Sequence, residues 1–230
     1  IAQSTICNHQ PPVNYWMHNN MITINGRKMG KSYNNVIKLT ELFSGNHPLL
    51  TQAYHPMTIR FFILQSHYRS TLDFSNEALQ ASEKALKRLW DSYENLKKLD
   101  LPADQAADDQ ELNGRIEKLL AELESFMDDD FSTPKVIANL FDMAPVINSI
   151  KDGLIPANAI SGQTLANLKS SFTLYLEDIF GLQSPYQSDN SLLQGVMQLL
   201  IDIRKESRAK KDFATSDKIR NQLSALGILI

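Results

Sequence analysis

Leu72-Asp73-Phe74-Ser75-Asn76-Glu77-Ala78-Leu79 opens the stretch that decides the fold. Ser75 is suited to cap a helix, and Phe74 before it can staple onto Leu79. Leu79, Leu86, Leu89, Tyr93 and Leu96 then recur at helical spacing as one apolar stripe. From Leu72 onward every periodic segment reads the same way. Pro102 and an acidic stretch break the first helix, and Ile116, Leu119, Leu120, Leu123 and Phe126 form the next stripe. Thr133-Pro134 reads as a cap followed by proline at the first helical position. Val136, Ile137, Leu140, Phe141, Ala144, Ile147 and Ile150 follow, with Gly153 as the stop and a kink or break expected at Pro145. Leu165, Leu168, Phe172, Leu176 and Phe180 make a fourth helix closed by Gly181. Four amphipathic helices on short loops predict an antiparallel bundle over 69–183. Residues 183–188 read as a linker. Two further helices over 189–230 carry Leu192, Leu193, Val196, Leu199, Leu200 and Ile203, then Phe213, Ile219, Leu223 and Leu226, with Gly227 at the end.

Upstream of Leu72 the pattern is mixed. Met21-Ile22-Thr23-Ile24 is β-prone, Asn25-Gly26 is a strong turn signal, and Pro56 suits the start of a helix through Phe61, Phe62 and Leu64. The expected fold is mainly α, with a small α/β portion over 1–68. The 230 residues, 43% hydrophobic and 21% charged, are ordinary for a globular chain. Apolar runs are too short to span a membrane, and Ile1-Ala2-Gln3-Ser4-Thr5 lacks the basic and apolar regions of a signal peptide. The single cysteine, Cys7, allows no intrachain disulfide and suits a reducing cytoplasm. A net charge of -3 argues against a dedicated nucleic-acid binder. The charge is uneven, however: the segment 100–130 is acidic, whereas Arg204, Lys205, Arg208, Lys210, Lys211, Lys218 and Arg220 make the C-terminal region attractive to a polyanion.

Lys28-Met29-Gly30-Lys31-Ser32 follows the predicted turn. Two ammonium groups this close can neutralise charge developing on a pyrophosphate leaving group. Ser32 and nearby backbone N–H groups can hold phosphate oxygens, and Gly30 allows close approach. On spacing alone the same residues also read as a solvated turn. Asp128-Asp129-Asp130 suggests a metal or acid-base site. Three adjacent acids do not share one helical face, and they are expected instead to favour the positive N-terminus of the next helix. The five histidines show no ligand spacing, so no metal ligands are expected in this chain.

Several blocks occur in one order along the chain. They are Asn14-Tyr15-Trp16-Met17-His18-Asn19-Asn20-Met21, the Lys28–Ser32 loop, and His67-Tyr68-Arg69-Ser70-Thr71-Leu72-Asp73-Phe74-Ser75. Met127-Asp128-Asp129-Asp130-Phe131-Ser132-Thr133-Pro134 and the segment from Arg208 through Asp217 to Arg220 follow. Together they resemble the later part of bacterial cysteinyl-tRNA synthetases, whose lysine loop is K-M-S-K-S. The resemblance implies a class I catalytic and stem-contact remnant over 1–68, a DALR-like anticodon-binding-type bundle over 69–183, and anticodon-recognition helices over 189–230. It implies ATP with magnesium as substrate, Lys28 and Lys31 as catalytic groups, and Met21, Met29, Gly30 and Ser32 as further ATP contacts, Met21 with Ile22 presenting backbone to the adenine. Trp16 and His18 would lie beside the amino-acid pocket. Arg208, Phe213 and Asp217 would read the anticodon of the cysteine tRNA, Asp217 accepting from a guanine edge. The bundle would brace the inner corner of that tRNA. L-cysteine is the implied amino acid and a cytoplasmic monomer the implied state.

Gly30 departs from the family's serine, removing a hydroxyl and loosening the loop. The family's H-I-G-H signature and its zinc ligands have no counterpart here, and Cys7 matches no zinc-ligand position. Zinc, which would distinguish a thiolate from a hydroxyl, therefore belongs to the intact enzyme. Two other readings fit parts of the pattern. A ligase joining cysteine to an amino sugar shares the early blocks but does not need Arg208, Phe213 and Asp217. A non-catalytic helical RNA-binding module needs no lysine loop. The expected outcome for the purified chain is no cysteine-dependent ATP–pyrophosphate exchange; exchange above background contradicts the assignment.

Overall fold

Asn25 and Gly26 both adopt positive φ, 50° and 74°, as the two central positions of a type I′ hairpin turn require. Around them β1 (Ile22–Ile24) and β2 (Arg27–Lys28) pair antiparallel, with Ile24 opposite Arg27 and Thr23 opposite Lys28. β3 (Leu72–Phe74) lies parallel on the other side of β1, giving the order β2-β1-β3. A parallel pair needs a long crossover, here containing α2 (Leu39–Ser44) and α3 (Pro56–Leu64). Pro56 occupies the expected first position of α3, and the His55 side chain caps it by accepting from the Met57 N–H. Ile24, Leu42, Tyr54, Ile59, Phe62, Phe74 and Leu79 close a small core behind this sheet. β3 lies beyond the 1–68 expected of the catalytic portion and completes its sheet. The short α1 (Ala2–Asn8) ahead of the sheet buries no residue. This computed structural model describes residues 1–184, 189–210 and 212–225, and the chain divides into two compact units, Ile1–Gln183 and Ser184–Ile230.

α4 (Asn76–Lys98) starts as its sequence dictates, with the Ser75 hydroxyl accepting from the Ala78 N–H at 3.2 Å. Its stripe serves two cores. Leu79 packs with Phe74 in the small one, and Leu86, Leu89, Tyr93 and Leu96 enter a larger one. That larger core is completed by α5 (Gln110–Asp128), α6 (Thr133–Lys151) and α7 (Gly162–Phe172). α6 packs against both α4 and α5, and α7 against α5 and α4. This is the mainly helical bundle that the periodicities predict.

Three local expectations change. α6 runs unbroken through Pro145 to Lys151. Proline removes one backbone bond, but Leu140, Met143, Val146 and Ile147 are buried on either side of it, so packing holds the helix together. Thr133 is the first residue of α6 rather than its cap, and its hydroxyl donates 2.7 Å to the Leu64 carbonyl. The helix formed by α7 does close at Gly181 (φ 58°), but its last turns, Thr173–Ile179, widen into a π-helix. Gly153 ends α6 as expected: it takes φ 74°, its N–H bonds Ile150 O, and the Leu154 N–H bonds Ser149 O, the Schellman arrangement.

The second unit contains α8 (Asp189–Ala209) and α9 (Phe213–Ala225), which pack on one another. Asp212 accepts from the Thr215 N–H and so caps α9. Ser216 and Leu223 are buried, whereas Leu199 and Ile203, expected in an apolar stripe, are exposed. Two helices cover only the line along which they meet, so a wider stripe stays in solvent. The side chains of Leu192, Leu193 and Val196, together with residues 185–188, Leu226 and Gly227, lie outside the described residues.

Two glycines test the packing in opposite directions. A Cβ on Gly162 would sit 1.9 Å from the Pro102 carbonyl oxygen, while one on Gly114, inside α5, meets nothing within 4 Å. Gly162→Ala should destabilise the chain by about 2 kcal/mol or more, and Gly114→Ala should stabilise it by about 0.5–1 kcal/mol, both read from denaturant midpoints.

Candidate functional site

The lysine loop is held from both ends. Lys28 closes β2, and the Met29 N–H donates to the Ile22 carbonyl across the hairpin at 3.5 Å. Gly30 is extended, Lys31–Tyr33 forms a 3-10 turn, and Asn34 turns the chain at φ 50°. Asn35, only 8% exposed, then reaches back. Its Oδ1 accepts the Gly30 N–H at 2.9 Å and its Nδ2 donates to the Lys28 carbonyl at 3.1 Å. One side chain thus clasps both arms of the loop. On the sheet side, Asp73 Oδ1 accepts from the Thr23 hydroxyl at 2.6 Å and from the Gly26 N–H at 2.7 Å. The Asn25 N–H donates to Phe74 O at 3.0 Å. β3 therefore fixes the turn that presents the loop.

The consequence is a defined backbone with free cations. Lys28, Lys31 and Ser32 are exposed, and neither ammonium has an ion pair or hydrogen bond among the described residues. The Met29 side chain, partly buried, packs on the small core and so anchors the loop. A Cβ on Gly30 would stand 3.3 Å from the Tyr33 ring, so glycine gives that ring room beside the loop. Asn35 and Asp73 escape a sequence reading. Asp73 sits inside the His67–Ser75 stretch, and only its partners 47 and 50 residues away reveal its role.

Trp16 and His18 are exposed and stack, ring centroids 6.1 Å apart and planes 12° from parallel. Their segment is tied down at Asn20, whose N–H donates to Tyr68 O and whose Nδ2 donates to Arg69 O. Met21 is exposed, but its N–H is bonded to Asn20 Oδ1 and its carbonyl to the Leu72 N–H. Its side chain is therefore what it presents.

His67, Tyr68 and Arg69 converge on Asp130. The Tyr68 hydroxyl donates to Oδ1 at 2.6 Å, Arg69 Nε lies 2.8 Å from Oδ2, and His67 Nε2 is 3.0 Å from the Asp130 carbonyl. The Tyr68 hydrogen bond, aided by the Arg69 charge, holds the Asp130 carboxyl below the usual carboxylate range. Beyond their place just before α6, the three acids have separate partners. Asp128 ends α5, Asp129 pairs with Lys135 at 3.1 Å, and Asp130 locks the α5–α6 turn to the segment after α3. That turn holds Asp130 and Phe131 at φ 60° and 55°, a conformation that costs each non-glycine residue about 1 kcal/mol. Among the described residues no three His, Cys, Asp or Glu side chains come together as metal ligands.

In the second unit, Arg208 is exposed in the last turn of α8. Phe213 is the first residue of α9 and is 59% exposed, so it is not a core residue. Asp217 follows one turn later, exposed, with Oδ1 3.2 Å from the Arg220 guanidinium. Phe213 and Asp217 share a helix face.

Two sequence families match the chain: tRNA synthetases class I (C) catalytic domain over residues 1–84, and DALR domain over residues 122–183. A cysteine-tRNA ligase of Parabacteroides distasonis is 48% identical over 100% of the chain, and one of Bacteroides thetaiotaomicron is 52% identical over 99%. The chain spans 45% of each, a little under half the length of these curated relatives. A solved LeuRS-tRNA-LeuAMS complex from Agrobacterium radiobacter aligns with TM-score 0.47 at 15% identity, over 72% of this chain and 22% of that one.

Asn35→Ala removes both bonds of the clasp. It should cost about 1–2 kcal/mol and raise hydrogen exchange at the Gly30 amide while α6 stays protected. Unchanged exchange at Gly30 contradicts the clasp.

Proposed function

Because the chain belongs to the class I cysteine-tRNA ligase family, we propose that it supplies the leaving-group clamp and the tRNA-facing portion of an enzyme joining L-cysteine to its tRNA. The observation that carries this reading is the pair Lys28 and Lys31, exposed and, among the described residues, unpaired on a loop whose backbone Asn35 and Asp73 hold. In the reaction a cysteine carboxylate oxygen forms a bond to the α-phosphorus of ATP, and the bond from that phosphorus to the bridging oxygen breaks. Pyrophosphate then carries away the electron pair. Two lysines aimed at this group stabilise the transition state more than the ground state, because the charge appears as the bond breaks. Ser32 and the loop N–H groups hold phosphate oxygens, and magnesium arrives with ATP.

Trp16 and His18, tethered through Asn20 to Tyr68 and Arg69, stand on the amino-acid side. Zinc would bind the substrate sulfur in the whole enzyme. Cys7, the histidines and the acids of this chain do not converge as ligands among the described residues, so no step here runs through it. The bundle over 69–183 and the helices over 189–230 are assigned to tRNA. Phe213 offers a stacking face, Arg208 a cationic plane, and Asp217 an acceptor for the N1–H and N2–H₂ edge of guanine, the groups with which proteins read unstacked bases. The intact enzyme is proposed to act as a monomer in the cytoplasm.

Two substitutions in the full-length enzyme separate these roles. Lys31→Ala should slow adenylate formation by about 10²–10³ with tRNA affinity nearly unchanged; a tenfold loss of tRNA affinity refutes the assignment. Asp217→Ala should weaken aminoacylation and spare ATP–pyrophosphate exchange. Equal losses in both assays assign Asp217 a structural role.

A further inference from the structure

Beside the lysine loop lies a cavity of about 420 Å³ whose lining contains none of Lys28, Lys31 or Ser32. Its apolar surface comes from Ile24 and Leu49, and its polar groups from Asn25, Arg27, Tyr33 and Asn34. Backbone geometry places these groups. Arg27 pairs with Ile24 on the hairpin, and Asn25 and Asn34 both hold left-handed φ of 50°. Tyr33 sits where the absence of a Cβ on Gly30 leaves its ring space, and it is 64% exposed. Among the described residues the Arg27 guanidinium, the Tyr33 hydroxyl and the Asn25 and Asn34 amides bond to no protein group. No acid lines the cavity. Asn35 also borders it, but both ends of its amide are spent on the loop clasp.

We propose that this cavity binds one nucleotide unit carrying a phosphate. An exposed aromatic ring offers a stacking face to any base. A guanidinium unengaged by carboxylate takes a phosphate in its planar fork. Side-chain amides carry both donors and acceptors, as the edge of a base demands. The volume fits a single nucleotide and falls in the range of small-molecule sites. The ligand is either a free nucleoside monophosphate or an unstacked nucleotide of an RNA strand, since both present the same base and phosphate. The site is separate from the polyphosphate clamp, because it uses neither lysine. Gly30 and Tyr33 act together in it: the residue that departs from the family's serine is the one that makes room for the ring.

The test titrates the 230-residue chain with AMP and, separately, with a single-stranded tetraribonucleotide, following amide shifts by NMR. Saturable binding is expected that Tyr33→Ala or Arg27→Ala weakens about tenfold or more, that Tyr33→Phe retains, and that Lys31→Ala changes less than about twofold. Binding of AMP identifies a free nucleotide site, and binding of the tetranucleotide alone identifies an RNA contact. No saturable binding of either ligand overturns the proposal. So does a loss with Lys31→Ala equal to that with Tyr33→Ala, which would put the nucleotide on the clamp and leave the function proposed for the loop standing. Both substituted side chains are exposed, so circular dichroism melts of the variants should match the parent.

Discussion

The parallel pairing of Leu72–Phe74 with Ile22–Ile24 is the constraint on which the first unit depends. It brings Asp73 against the hairpin, where one carboxylate oxygen accepts from both Thr23 and Gly26. It also delivers the chain directly into α4, because Ser75 caps that helix one residue after the strand ends. Phe74 and Leu79 then seal the small core on one side of the cap, while the rest of α4 enters the bundle. A strand of three residues thus ties the lysine loop to the longest helix of the unit.

A second tie supports the first. Asp130 is held by Tyr68 and Arg69, Thr133 by the Leu64 carbonyl, and Arg60 donates to Phe180 O at 2.5 Å. α3 and the segment after it are therefore bonded to the α5–α6 turn, and α3 also to the end of the π-helix. Two left-handed non-glycine residues persist in that turn because so many bonds determine it. The backbone that presents Lys28 and Lys31 is in this way continuous with the bundle, which is what the proposed clamp would require for its cations to meet a leaving group without first ordering the loop.

What could be read ahead of the structure follows the range of the interactions. α4 was legible because its cap, its staple and its stripe lie within one local pattern, and the Asn25-Gly26 hairpin for the same reason. The two closely spaced cations of the lysine loop are visible in the sequence, and the residues that hold its backbone are not. Asn35, Asp73 and Asp130 look like ordinary polar residues until the fold brings them partners. Pro145 does not break α6: the cost of one lost backbone bond is visible in the sequence, and the packing that offsets it is not. Leu199 and Ile203 mislead in the opposite sense: their spacing predicts burial, but the contact between α8 and α9 leaves them exposed among the described residues. Tyr33 was invisible as a ligand group because its placement depends on Gly30, whose missing Cβ matters only once the 3-10 turn folds the ring back beside it.

β3, through Asp73, holds the lysine hairpin to the bundle. Native-state hydrogen exchange on the 230-residue chain carrying Asp73→Ala tests it most directly. The Gly26 and Met29 amides should exchange about tenfold faster or more, while the α6 amides keep their protection, as expected for local rather than global opening. Unchanged exchange at Gly26 would contradict it, and so would a uniform loss of protection reaching α6.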